Sequence, residues 1–156
     1  MPAIRILCVG KLKEPYFREA QEEYLKRLSA FARVEIIEKK EAPLSAGASD
    51  AQIQQTLRAE GAGLLSVARG TLIALSPEGE KMNSEAFSAL VRKCADTGEI
   101  CFVIGGSCGL SGEVKSAATR ILSFSDMTMP HGLFRVVLLE QLYRAFMIAE
   151  GRTYHK

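Results

Sequence analysis

The chain has little of what several protein classes require. It contains no tryptophan and only two histidines, and its longest stretch without a charged side chain is the 13 residues from Ile100 to Gly112. A membrane-spanning helix needs ~20 apolar residues, so this stretch is too short to cross a bilayer. The first residues run directly into Ile4–Val9 and lack the basic start, long apolar stretch and cleavage site of a secretory signal. We therefore expect a cytoplasmic chain without a membrane partner.

The cysteines and histidines do not indicate a metal site. The four cysteines lie singly in apolar segments, at Cys8, Cys94, Cys101 and Cys108. Zinc sites use closely paired ligands, and no H-E-x-x-H or Cys/His cluster is present. The sequence therefore predicts no metal, and it indicates small buried cysteines in a reducing compartment.

Length and charge suggest one domain with basic ends. A chain of 156 residues, 47% of them hydrophobic, buries roughly two thirds of its unfolded surface, so we expect one domain over residues 1–156. Residues 1–33 carry seven basic and four acidic side chains, residues 34–119 eight and eleven, and residues 120–156 five and three. Basic ends that meet in the fold, or across a dimer, would form a positive face suited to phosphates. Ordinary solvated surface charge is the alternative.

Hydrophobic periodicity alternates between strand and helix along the whole chain. Short apolar runs predict five strands, at Ile4–Val9, Val34–Ile37, Thr71–Leu75, Ile100–Ile104 and Ile121–Phe124. Helical patterns predict five helices, beginning at Pro15, after a cap at Asp50, at Asn83 or Ser84, near Glu113, and at Pro130 with an end at Gly151. The segment Ser76–Gly79 is predicted to close the third strand as a turn. This alternation predicts an α/β fold with a mostly parallel sheet flanked by helices.

Ligands of open α/β sheets bind beyond the carboxyl ends of the strands, which selects the loops Leu75–Gly79, Gly105–Gly112 and Ser123–His131. The glycine run in the second loop lacks the spacing of a dinucleotide fingerprint or a phosphate loop. It does match G-x-S-x-G, the nucleophile elbow of α/β-hydrolases. A serine hydrolase that uses Ser107, with Asp126 and either histidine downstream, is therefore an alternative.

The last predicted helix is apolar around most of its circumference, which is more than one sheet face can cover. A symmetric homodimer would bury the excess. Within this helix Glu140 and Arg144 form an i,i+4 pair, and such charge needs pairing or a function. The tail Arg152–Lys156 offers a cation, an aromatic face and hydrogen-bond donors that suit RNA. A frayed terminus is the alternative for the tail.

Four segments carry distinctive motifs, namely Phe102–Ser107 (FVIGGS), Leu122–His131 (LSFSDMTMPH), Leu139–Phe146 (LEQLYRAF) and Tyr154–Lys156 (YHK). In these segments, and over the whole chain, the sequence resembles the ribosomal RNA large subunit methyltransferase H family of the SPOUT superfamily. The resemblance implies a SPOUT-type α/β fold with a C-terminal trefoil knot and a homodimer. It implies S-adenosylmethionine as cofactor and methylation of N3 of a pseudouridine in a 23S rRNA stem-loop of the assembled ribosome, with no role for DNA.

The resemblance also assigns residues. It implies cofactor contacts at Leu75, Gly106, Ser125, Asp126, Met127, Thr128, Met129 and Pro130. These residues lie in the three strand-end loops selected above. In this interpretation Ser107 becomes a turn residue and the hydrolase loses its nucleophile.

Methylation at N3 requires loss of a weakly acidic proton, so a base or an anion-stabilising donor is needed. The candidates are His155 and Tyr154 in the tail, His131 beside the cofactor loop, and the pair Glu140 and Arg144. We expect the tail to place the base and Arg144 to orient the substrate or stabilise charge, with the tail of one subunit completing the pocket of the other. A non-catalytic ribosome-binding module is a further alternative.

Overall fold

Five strands lie in one sheet, and helices cover both of its faces. The computed structural model describes all residues, Met1–Lys156. The strands are β1 (Ala3–Val9), β2 (Arg33–Lys39), β3 (Thr71–Lys81), β4 (Ile100–Ile104) and β5 (Arg120–Ser123). The helices are α1 (Pro15–Leu28), α2 (Asp50–Leu65), α3 (Ser84–Thr97), α4 (Gly112–Ala117) and α5 (His131–Ala149). The strand order is β2-β1-β4-β3-β5 and every neighbouring pair is parallel, which confirms the predicted fold class.

Alternate residues of the central strands build two cores. In β4, Ile100, Phe102 and Ile104 face the core shared with α1, α3 and α5, whereas Cys101 and Val103 face the core shared with α2 and α4. All five residues are buried, as expected for a strand covered on both faces. The sheet is therefore the middle layer of three, and its carboxyl edge is left to the loops.

The start of α2 differs from the prediction by one residue. Ser49 is the N-cap, and its hydroxyl accepts a hydrogen bond from the backbone N–H of Gln52 while the Gln52 side chain accepts from the Ser49 N–H. The predicted cap, Asp50, is instead the first helical residue. A capping box satisfies two helix-end donors at once, which explains why Ser49 is preferred over its acidic neighbour.

The third strand continues beyond the predicted turn. β3 pairs with β5 up to Leu75, passes through an irregularity and pairs again from Glu80 to Lys81. A Cβ on Gly79 would lie 2.6 Å from the carbonyl carbon of Leu122, so glycine lets the returning strand approach β5 closely. The prediction that Ser76–Gly79 closes the strand was therefore wrong, because pairing with β5 outweighs the local turn signal of Pro77 and Gly79.

The apolar surface of α5 is covered largely within the chain. α5 lies between α1 and α3 on one face of the sheet. Phe146 stacks on Phe31 with ring centroids 5.8 Å apart, and Phe134 packs on Phe124 at 5.3 Å. Leu133 is 37% exposed. The neighbouring helices thus account for much of the excess that suggested a homodimer, and the dimer stays a prediction.

The two basic ends of the chain meet beside the end of α5. The guanidinium of Arg152 lies 5.3 Å from the ring centroid of Phe31, and that of Arg27 lies 5.7 Å from the ring of Tyr143. Both arginines also pair with glutamates of their own segments, which reduces the net positive charge there. The two ends of the chain therefore adjoin in the fold, and a positive face suited to phosphates stays a prediction. No helix combines the length and apolar character that crossing a membrane requires. The trefoil knot stays a prediction of the resemblance.

Candidate active site

The carboxyl ends of β4 and β5, together with the part of β3 where its pairing with β4 ends, open onto one cleft of about 450 Å³. Its walls are the irregular middle of β3 at Leu75–Pro77, the loops after β4 and β5, and the start of α5. No Asp, Glu, Lys or Arg lines it. Clefts of this size with mainly apolar walls suit small ligands and cofactors. Seven of the residues predicted to contact the cofactor line it, namely Leu75, Gly106, Ser125, Met127, Thr128, Met129 and Pro130.

The wall after β4 is a tight glycine turn, Gly105–Gly109. The N–H of Gly109 donates to the carbonyl oxygen of Gly106 at 3.0 Å, and Gly109 has φ of 81°, which favours glycine. A Cβ on Gly105 would overlap the backbone of Gly109. The turn therefore depends on its glycines, and it presents mainly backbone to the cleft, with Ser107 as the one lining residue that has a side chain.

The loop after β5 offers unused backbone donors. The Ser123 hydroxyl donates to the carbonyl oxygen of Ser125 at 3.0 Å, and the N–H of Met127 donates to Ser125 Oγ at 3.0 Å. No other backbone N–H from Ser125 to Met129 donates within the chain. Asp126 does not line the cleft, because its carboxylate pairs with Lys81 on the outer side. The loop can therefore hydrogen-bond a ligand through its backbone.

A second group of polar side chains lies at the other end of α5. Arg144 Nη2 donates to Glu140 Oε1 at 2.7 Å, and the Tyr154 hydroxyl donates to the same oxygen at 3.0 Å. Arg144 Nη1 lies 3.2 Å from His155 Nδ1, and His155 Nε2 lies 2.8 Å from Glu85 Oε1. These five residues form one connected network, which we call the tail cluster.

The hydrogen-bond partners in the tail cluster assign a donor and an acceptor role to the two ring nitrogens of His155. A guanidinium only donates hydrogen bonds, so His155 Nδ1 accepts from Arg144. The N–H of His155 is therefore assigned to Nε2, which donates to Glu85 Oε1. Burial and the hydrogen bond to Glu140 raise the pKa of Tyr154 to about 12, so Tyr154 is a neutral phenol at pH 7. Hydrogen bonds from its own backbone N–H and from His155 lower the pKa of Glu85.

Within one chain the cleft and the tail cluster are far apart. His131 lines the cleft at the start of α5, and Arg144 lies 13 residues further along the same helix. At a rise of ~1.5 Å per residue, this spacing corresponds to ~20 Å along the helix axis. The structure thus brings His131 to the predicted cofactor residues and gathers Glu140, Arg144, Tyr154 and His155 elsewhere.

The hydrolase alternative fails on geometry. The hydroxyl of Ser107 donates to Glu41 Oε1 at 3.4 Å, and no hydrogen bond links Ser107 to a histidine. Asp126 pairs with Lys81 instead of His131. No Ser-His-Asp arrangement is assembled, so the G-x-S-x-G match was a coincidence of turn residues.

Sequence reasoning missed three acidic residues near these sites. Glu85 lies 70 residues from His155 in sequence, so no local pattern could join them. Glu41 and Glu60 lie behind the glycine turn. Glu60 had a signal, because it falls three residues after Leu57 and four before Leu64 on the inward face of α2.

An all-parallel α/β sheet with a glycine-walled cleft beyond its strand ends defines a protein that binds a small ligand or cofactor at that edge. The family model described as "Predicted SPOUT methyltransferase" matches residues 3–155. Ribosomal RNA large subunit methyltransferase H of Streptococcus gordonii is 46% identical over 98% of this chain and 99% of that protein. The Oenococcus oeni protein of the same name is 48% identical over 98% of each. The chain therefore belongs to the SPOUT methyltransferase family, in the branch named ribosomal RNA large subunit methyltransferase H.

Solved structures agree on the fold. A "probable methylase family protein" from Haemophilus influenzae superposes with a TM-score of 0.57 at 14% identity, over 98% of this chain and 70% of that one. The tRNA (m1G37) methyltransferase from Aquifex aeolicus gives 0.52 at 15% identity, over 92% and 70%. Membership in a methyltransferase family argues against the non-catalytic module and makes S-adenosylmethionine the cofactor of this chain.

Proposed function

We propose that this chain transfers a methyl group from S-adenosylmethionine to N3 of a pseudouridine in the large-subunit ribosomal RNA of the assembled ribosome, as a single domain of residues 1–156 in the cytoplasm. Near-full-length relatives are named for methylation of this RNA. The observation that carries the proposal is the cleft at the strand ends, where seven of the eight predicted cofactor residues meet.

The cleft fits this cofactor by size and by chemistry. Leu75 and Met129 supply apolar walls for an adenine ring. The unused N–H groups of Ser125, Thr128 and Met129 can satisfy its polar edge, since buried polar groups need partners. When bound, S-adenosylmethionine supplies an electrophilic methyl group. Because methyl transfer needs an in-line approach, the rigid glycine turn contributes by fixing one wall of the site.

The ~20 Å between the cleft and Arg144 along α5 supports a composite site in a homodimer. Arg144 is therefore too far along the helix for its side chain to reach the rim of the cleft at His131 within the same chain. In a dimer with two-fold symmetry, the tail of each subunit can complete the cleft of the other. Part of the outward face of α5 suits this contact, because Leu133 is exposed and Val136 and Val137 are only half-buried.

The tail cluster then supplies the proton chemistry. Glu140 holds the guanidinium of Arg144 through two hydrogen bonds and orients the hydroxyl of Tyr154. Arg144 stabilises the negative charge that develops on the pseudouridine ring when N3 loses its proton. His155 takes that proton at Nδ1 when the substrate displaces Arg144 from this nitrogen, and Glu85 stabilises the imidazolium formed. His131, at the rim of the cleft, is the alternative base.

The direct test incubates the protein with tritiated S-adenosylmethionine and ribosomes that lack the modification. We expect label in the large-subunit RNA, at N3 of one pseudouridine after nucleoside analysis. No label in any RNA would refute the proposed function. Equal label on free RNA would refute the requirement for the assembled ribosome.

The composite site is tested with mixed dimers. One subunit lacks Tyr154–Lys156, and the other carries Gly106→Arg, whose side chain would crowd Val9 and displace the glycine turn that forms one wall of the cofactor cleft. Each variant alone should be inactive. Random mixing at equal amounts makes half of the dimers mixed, each with one complete site, so about a quarter of the wild-type activity should return. Mixtures that stay inactive would indicate a pocket built within one chain.

A further inference from the structure

A second cleft adjoins the cofactor cleft on the far side of the glycine turn. It lies between the loop after β2, α2 and the turn, has a volume of about 410 Å³, and is lined by Glu41, Glu60 and Thr56 among others. Ser107 lines both clefts. The apolar cofactor cleft therefore has an acidic neighbour separated from it by one turn of backbone.

Glu60 is the unusual group in the acidic cleft. It is only 7% exposed, and its Oε2 accepts a hydrogen bond from the N–H of Ala42 at 3.1 Å, but no hydrogen bond reaches Oε1. Oε1 lies 3.6 Å from the position that a Cβ on Gly106 would occupy. Burial raises the pKa of Glu60, the bond from Ala42 opposes this rise, and the charge of Glu41 adds to it. A nearly buried carboxylate thus has one free oxygen directly behind the glycine turn.

Glu41 brings a second carboxylate to the same place. Its Oε1 accepts from the Ser107 hydroxyl at 3.4 Å, and its Oε2 lies 3.7 Å from the position that a Cβ on Gly10 would occupy. No Lys, Arg or His forms an ion pair with Glu41 or Glu60. Glu41 is exposed, but Glu60 is nearly buried. A carboxylate removed from water is normally paired, so the partner that Glu60 lacks is a cation.

The cofactor itself carries such a cation. S-adenosylmethionine has a sulfonium and an α-ammonium group, yet no acidic side chain lines the cofactor cleft. The nearest carboxylates behind the glycine turn are those of Glu41 and Glu60. We propose that Glu60, supported by Glu41, binds the α-ammonium group of the cofactor's methionine moiety where that moiety passes Gly106 and Ser107. This inference rests on the proposed function and adds two residues to the cofactor site.

The test measures binding by calorimetry and needs no ribosome. The ligands are S-adenosylhomocysteine and its desamino analogue, which keeps the adenosine and the carboxylate but lacks the ammonium group. Glu60→Gln removes the charge while its amide oxygen still accepts from Ala42. Glu19→Gln on the exposed face of α1 is the matched control, because Glu19 has no ion pair. Urea unfolding checks that each variant is folded.

We expect Glu60→Gln to weaken binding of S-adenosylhomocysteine about tenfold or more, as loss of a hydrogen bond between charged groups predicts. Glu41→Gln should have a smaller effect, and Glu19→Gln none. Binding of the desamino analogue should not respond to any of these changes. In the wild type, the analogue should bind about tenfold more weakly than S-adenosylhomocysteine.

The possible negative results distinguish failure of this inference from failure of the proposed function. Equal losses for both ligands would show that Glu60 only positions the loop, and equal affinities of the two ligands for the wild type would refute the inference without any variant. Wild-type binding of both ligands with no response to Glu60→Gln would also refute it while leaving the proposed function intact. A wild type that binds neither ligand would refute the proposed function as well.

Discussion

Replacement of Arg135 by methionine tests how α5 is anchored beside the cofactor cleft. Arg135 is 1% exposed, although it carries a guanidinium. Its Nη1 donates to Glu38 Oε2 at 2.8 Å and to Gln21 Oε1 at 3.3 Å, and its Nη2 lies 3.4 Å from the carbonyl oxygen of Gly10. One side chain of α5 therefore holds β2, α1 and the end of β1 together. Methionine keeps most of the volume and removes the charge.

The expected cost follows from the burial of the two partners. Loss of one member of a fully buried ion pair costs ~3–5 kcal/mol. The Glu38 side chain is 35% exposed, so water can solvate its carboxylate after Arg135 is removed. We therefore reduce the expected loss in the free energy of unfolding to about 2–3 kcal/mol for Arg135→Met at pH 7.

The assay is urea unfolding of a double-mutant cycle that combines Arg135→Met with Glu38→Gln. Coupling between the two sites should be ~1–2 kcal/mol, and additivity within ~0.5 kcal/mol would refute the reasoning. Burial opposes ionisation of Glu38, but hydrogen bonds from Arg135 and the Leu12 N–H hold its pKa below the ordinary value. The contribution of Glu38 is thus present above its unfolded pKa and is lost as the pH falls through the lowered one. The difference between wild type and Arg135→Met should shrink in that range.

Three further predictions concern the surface and the two halves of the proposed site. Hydrogen bonds from Lys115 and Ser76 lower the pKa of Glu78 to about 2. The ionised Glu78 therefore stabilises the fold above pH ~4.5, and this stabilisation is lost as the pH falls from ~4.5 to about 2. Lys115→Met should raise the midpoint pH of acid unfolding, and an unchanged midpoint would contradict this. Gly106→Ala would add a methyl 3.2 Å from Cγ1 of the buried Val9, so the glycine turn has to shift by a few tenths of an ångström. Calorimetry should then show ~10-fold weaker S-adenosylmethionine binding, and the urea midpoint should fall slightly. Arg144→Lys loses the planar fork that holds Glu140, so single-turnover methylation should slow ~10–100-fold while cofactor affinity stays the same. A loss of cofactor affinity instead would show that Arg144 contacts the cofactor and would contradict its role in charge stabilisation.

Local patterns were sufficient for most of the fold. Ile100–Ile104 agrees with β4 at both ends, because a short apolar run between a helix and a glycine turn has one reasonable interpretation. The errors occur where two local signals compete. Ser49 and Asp50 are both good caps, and the reciprocal bond with Gln52 decides between them. Pro77 and Gly79 look like a turn, but contact with a strand that lies some 40 residues later keeps them in the sheet.

Only part of the candidate site could be predicted from the sequence. The rule that ligands bind beyond strand ends selected three segments that the structure brings to one cleft, although Leu75–Gly79 lies inside β3 and not in a loop. Their role in cofactor binding stays a prediction. The tail cluster was different, because Glu85 joins His155 only through the packing of α3 against α5. The distance between His131 and Arg144 also required the helix to be placed, and this distance is what separates the proposed cofactor and proton-transfer groups.

The packing of α5 fixes the distance between its two ends. Its inner residues Leu138, Leu139 and Leu142 are completely buried, so the middle of the helix cannot slide or turn. One inserted residue would advance everything beyond it by ~1.5 Å and rotate it by ~100°. His131 at the cofactor cleft and Arg144 in the tail cluster could then no longer both keep their positions while the middle of the helix stays packed in the core. Substitutions along the outer face should therefore be common among functional variants of this helix, whereas insertions and deletions within it should be absent.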